Sequence, residues 1–155
     1  MIVRPTTAQL LRDVRHELAE AVVPEVQSAT VRVTLEQIDI ILEQCAVRSG
    51  SEIAWMVEEI DEIEAYAADV ADATGDQATI DALAAGRAGR SGSLQLDDLA
   101  DDYNLMSEAL SCAIEACMAD PAQRPLRERG VEILRLRRAE RETAVRANWR
   151  LVGRG

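Results

Sequence analysis

The sequence predicts an all-α protein, an antiparallel up-and-down bundle of about five helices ending in a long Arg-rich C-terminal helix. Three observations carry that expectation. Every long segment repeats its apolar residues at spacings of three and four, the period of a helix face. No Asn-Gly or Asp-Gly pair stands between alternating apolar and polar runs, so the strongest hairpin signal is missing. The core stock is Leu, Ile, Val and Ala with no Phe, which suits interdigitated aliphatic helices better than a β-sandwich.

Thr6 is placed to cap a first helix, with Gln9 reaching back from the third position, and Leu11, Val14, Leu18 and Val22 follow as one stripe. Pro24 interrupts it. A second helix is expected from about Glu25 to Arg48, with Val31, Leu35, Ile38, Leu42 and Cys45 on one face. The third, Glu52 to Thr74, carries the seam Ile53, Met56, Ile60, Ile63, Ala67 and Val70; Ser49 and Glu52 form a capping-box pattern before it, and Gly75 suits the left-handed turn that ends it. Asp76 caps a short fourth segment, Gln77 to Ala85. The run from Gly86 to Ser93, with its Gly, Arg and Ser, reads as a mobile linker. Beyond it, Asp97 to Ala119 has two adjoining apolar flanks and should be central. Pro121 and Pro125 introduce the last helix, Leu126 to Trp149, where Gly130 marks either close backbone approach or weak helicity.

At 155 residues one domain suffices. Its charge is unevenly spread. Residues 1–123 hold 24 acids against 7 Arg, a net of −17, whereas residues 124–155 hold 10 Arg against 4 acids, a net of +6. The expected organisation is an acidic helical bundle over 1–123, with 124–155 docked on it or on a partner subunit. The overall charge of −11 argues against nucleic acid and anionic membrane as partners. All basic residues are Arg, which excludes Schiff-base chemistry and the lysine of a phosphate-binding P-loop. Cys45, Cys112 and Cys117 lack the spacing of a zinc site, and three cysteines without a framework fit a reducing cytoplasm.

Arg4-Pro5-Thr6, Leu10-Leu11, Val14, Leu18 and Pro24 give the N-terminal third its resemblance to a small all-α bacterial family of unknown function. That family is associated with aminoglycoside-phosphotransferase-like proteins and acyl-CoA dehydrogenases. The resemblance implies a setting and no mechanism.

Among candidate chemistries, Glu58-Glu59-x-x-Glu62 with Asp98-x-x-Asp101 is the sharpest. It looks like the carboxylate pattern of the all-α nucleotide pyrophosphatases, in which acids from neighbouring helices hold Mg²⁺ against phosphates. That reading makes Glu59, Glu62, Asp98 and Asp101 metal ligands. The competing reading is a solvated acidic face. His16, the sole histidine, falls opposite the apolar stripe of the first helix, which leaves no catalytic triad to build around it and no second Glu-x-x-His unit for a di-iron bundle. Trp55, Trp149 and Leu151 are the candidate interface residues. The sequence thus favours a non-catalytic helical interaction or accessory protein, cytoplasmic, working as a homodimer or with a helical partner and needing no cofactor. The alternative is a Mg²⁺-dependent nucleoside triphosphate pyrophosphatase.

Overall fold

In the computed structural model, which describes residues 4–136, the chain is all-α. The described residues form five α-helices, α1 (Thr7–Glu17), α2 (Ala29–Thr74), α3 (Gln77–Gly89), α4 (Leu96–Ala119) and α5 (Arg124–Leu136). Among the described residues there is no strand, and no helix is long and apolar enough to cross a membrane. The chain divides into two compact units, one within Met1–Glu52 and the other within Ile53–Ala139.

The first unit opens with the expected capping box: Thr6 Oγ1 accepts from the Gln9 amide at 3.2 Å and Gln9 Oε1 accepts from the Thr6 amide at 2.8 Å. Pro24 has no N–H with which to continue α1. The backbone widens before it into a π turn over Leu18–Val22, in which the Val23 amide reaches the Leu18 carbonyl. Ser28 then caps α2, its hydroxyl accepting from the Val31 amide at 3.5 Å. Small residues allow close approach in this unit: Ala8 and Ala46 are buried, and Ala8 Cβ lies 4.0 Å from where a Gly50 Cβ would stand. Arg15 ties α1 to α2 through paired bonds to Asp39 at 2.7 and 2.9 Å and a longer contact to Glu43 at 3.4 Å.

The break expected between a second and a third helix does not form. α2 runs unbroken for 46 residues. Ser49 donates its hydroxyl back to the Ala46 carbonyl at 3.2 Å, and Glu52 accepts from Arg48 Nε at 2.8 Å. Both side chains are thus engaged in ways a continuing helix permits, and no proline forces a stop.

The second unit holds the larger core. Ile60, Ile63, Ala67 and Val70 of the predicted seam are buried, with Met56 packed against them, while Ile53 is left exposed. Met106, Leu110, Ala113 and Cys117 of α4 close over this seam, and Leu83 and Ile133 complete it from α3 and α5. α4 is central, as its two apolar flanks predict. Gly75, at φ 64°, ends α2 in the left-handed turn, and Asp76 caps α3 by accepting from the Thr79 amide and hydroxyl, both at 2.8 Å.

The glycine-arginine run is corrected by the structure. α3 continues through Gly86 and Gly89, and both glycines face α4: a Cβ would meet Met106 Cε at 3.0 Å from Gly86 and Leu105 Cδ1 at 2.6 Å from Gly89. They are contact surface for a neighbouring helix. Gly130, in α5, is a third case of the same kind, since a Cβ there would press on the Tyr66 hydroxyl and stand 2.8 Å from Cζ. Of its two expected explanations, close approach is the one that holds. α5 begins at Arg124, and the later part of the predicted Leu126 to Trp149 helix, including Trp149 and Leu151, lies outside the described residues.

Candidate interaction surfaces

The acids singled out in the sequence are not gathered into one site. Glu59 is buried and accepts from the Tyr103 hydroxyl at 2.5 Å, Glu62 is half-buried, and Asp98 and Asp101 are exposed on the first turns of α4. Among the described residues, no three His, Cys, Asp or Glu side chains come together in an arrangement that could hold a metal ion.

Other polar groups are committed to holding helices together. Arg87 donates to Glu64 at 2.8 Å, and Arg90 spans Asp61 at 2.6 Å and Glu64 at 3.1 Å, so α3 is clamped to α2. Buried Asp102 accepts from the Ser91 amide at 3.0 and 3.2 Å and from its hydroxyl at 2.8 Å, fixing the chain as it leaves α3. The two arginines of the supposed linker are thus engaged by carboxylates. The Arg129 guanidinium pairs with Asp69 and sits 5.7 Å from the centre of the Tyr66 ring, a cation–π contact. Burial, and then the long bond to Cys117 Sγ at 3.8 Å, hold the Tyr66 phenol well above its ordinary range. That buried aromatic was invisible as a site in the sequence, where only its spacing from Ile63 and Val70 hinted at burial.

Two apolar surfaces are left open. One is a groove of about 870 Å³ between α2 and α3, lined by Ala68, Ala71, Ile80, Leu83, Ala84 and Ala88 together with the charged Asp72 and Arg87. The other lies in the first unit. Val31, Ile38 and Ile41 are 45%, 38% and 43% exposed, and Thr34 and Cys45 continue the same exposed line. The face expected to be core is therefore split: Leu35 and Leu42 are half-buried, while Val31, Ile38 and Cys45 are turned to solvent. Beside this line Gln44 has a buried Nε2 without a hydrogen-bond partner among the described residues, a group that costs about 1–3 kcal/mol until it is met. Trp55 is half-buried, and His16 is exposed as its place on the wheel predicts.

No family model, no curated protein and no solved structure matches this chain.

Proposed function

We propose that this chain is a non-catalytic helical interaction module that works through apolar helix faces in a reducing cytoplasm. The observation that carries the reading is the exposed aliphatic line of α2, beside a first unit whose buried hydrophobic residues, among those described, are Ala8 and Ala46. Helices that cover so little of their aliphatic surface gain stability from a further helix laid against them. The polar groups support the same reading, because the carboxylates of Asp39, Glu64 and Asp102 hold one helix or loop to another. The bacterial family that the N-terminal third resembles would supply a setting for such a module among enzymes, with the reaction belonging to the partner.

The test is an assay for pyrophosphate release from nucleoside triphosphates with millimolar Mg²⁺, run on the chain and on Asp101→Asn. The expected result is no release above the buffer control for either. Metal-dependent turnover by the native chain, lost in Asp101→Asn, would overturn the reading and establish the carboxylates as ligands.

A further inference from the structure

The exposed line on α2 has the spacing of a coiled-coil seam. Val31, Thr34, Ile38, Ile41 and Cys45 follow one another at intervals of three, four, three and four, the first and fourth positions of successive heptads. At 1.5 Å per residue the seam is roughly 21 Å long. The Thr34 hydroxyl already donates to the Thr30 carbonyl at 3.2 Å, so Thr34 can be covered without leaving a polar group unmet.

In a chain of net charge −11 this strip is uncharged. The charged residues of the same stretch lie on other faces: Arg32 donates to the Val26 carbonyl at 2.7 Å, Asp39 and Glu43 turn to Arg15, and exposed Glu36 falls off the seam on the helical wheel. On one flank of the seam stand Leu35 and Leu42, and on the other Gln37 and Gln44. Beyond Cys45 the next seam positions are Arg48 and Glu52, which pair with each other and close the strip.

We infer that the partner seated on this seam is a second copy of the same helix, running antiparallel; the inference rests on the interaction-module reading and names the partner. Antiparallel seams pack first positions against fourth positions. Ile38 then meets the second copy's Ile41, Thr34 meets its Cys45, and the twofold axis falls between residues 39 and 40. In the same register Leu35 faces Leu42 across one flank and Gln37 faces Gln44 across the other. An amide both donates and accepts, so the exposed Gln37 amide can donate to the Gln44 oxygen of the second copy. A parallel pairing would set Gln37 against Leu42 and lose both matches. A charged partner helix would find nothing on this strip to answer it.

The experiment uses the full chain. Sedimentation equilibrium should give twice the 17.0 kDa monomer mass. Ile41→Glu, at a position already exposed in the single chain, should keep its helical circular dichroism and weaken dimerisation by roughly a hundredfold, since each dimer would bury two unpaired carboxylates. Leu94→Glu, at an exposed aliphatic of the second unit outside both open surfaces, should leave the dimer unchanged. Mild oxidation of Thr34→Cys should cross-link two chains through the native Cys45, and the additional change Cys45→Ser should abolish the cross-link. A native chain that is monomeric up to about 100 μM, or a dimer that Ile41→Glu leaves intact, overturns the inference. So does a disulfide between two Cys45 residues in the native chain, which only a parallel seam would allow. All three leave the module reading standing, because that reading falls to nucleotide turnover alone.

Discussion

Placing a methyl group at position 130 tests whether α5 is held by contact or by helix propensity. Propensity alone says that Gly130→Ala should stabilise the protein by about 1 kcal/mol, because glycine is a poor residue in a helix interior. The structure says otherwise. The new Cβ would stand 2.8 Å from Tyr66 Cζ and 3.0 Å from Ile114 Cγ1, with the Tyr66 hydroxyl oxygen closer still, where ordinary contact needs about 3.5–4.0 Å. Tyr66 is fully buried among core residues, so it has nowhere to swing, and α5 must move outward by roughly 1 Å. Overpacking of this kind costs typically 1–3 kcal/mol, and the lost contacts of Ile133 add to it. Set against the propensity gain, a net loss of about 1–2 kcal/mol is expected. That corresponds to a fall in Tm of several degrees, at about 4–8 °C per kcal/mol for a unit of this size. Tyr66→Phe removes the closest atom and should recover part of the loss, so urea melts of the two single variants and the double variant should give a favourable coupling. A higher Tm for Gly130→Ala, or strict additivity with Tyr66→Phe, would refute the close-packing account.

Two further predictions follow from burial and charge. Ile60→Asp should cost about 4 kcal/mol or more, because an unpaired carboxylate would replace a fully buried aliphatic side chain, whereas Glu62→Ala should stay within about 0.5 kcal/mol; equal losses in denaturant melts would mean that the phase of α2 is wrong. The Arg15 guanidinium, chiefly by its hydrogen bonds, lowers the Asp39 carboxyl below its ordinary pKa. A carboxyl lowered by folding contributes stability that is full above its unfolded value near 3.9 and is lost as pH falls through the folded one. Asp39 is partly exposed, so the contribution is under about 1 kcal/mol, and Asp39→Asn should flatten the loss of stability below about pH 4 by that much. Identical acid limbs in the two melting curves would show that the pair is not linked to folding.

The parts of the fold legible in the sequence are those decided within a few residues. The Thr6–Gln9 box, the Asp76 cap and the Gly75 turn each depend on neighbours three or four positions away, and each forms. Ser49 and Glu52 show the limit of the same logic. A capping box competes with a continuing helix, and Ala46 and Arg48 give both side chains partners without a break. The glycines fail for a different reason. Gly86 owes its identity to Met106, far along the chain, so composition alone cannot tell a helix contact from a linker, and at Gly130 only Tyr66 decides between the two explanations that the sequence leaves open. The same holds for the carboxylates: a helical wheel sets Glu59 beside the seam, but only packing brings Tyr103 to it. Periodicity likewise finds the apolar line from Val31 to Cys45 without saying what covers it.

The clasp between Asp102 and Ser91 bears on how this chain could change its length without losing its fold. The α3–α4 connection is held at Ser91, by two bonds from its amide and one from its hydroxyl, whereas Gly92, at φ 68°, stands in open space. Residues added between Arg90 and Ser91 would carry Ser91 away from a buried carboxylate and leave it unmet. Residues added after Ser93 would give up one exposed bond, from the Gln95 amide to the Ser93 hydroxyl at 3.0 Å, and otherwise lengthen the arc at an entropic cost that grows slowly with length. Variation in this connection is therefore one-sided, and a tag, a label or a whole inserted domain belongs on the α4 side of the clasp.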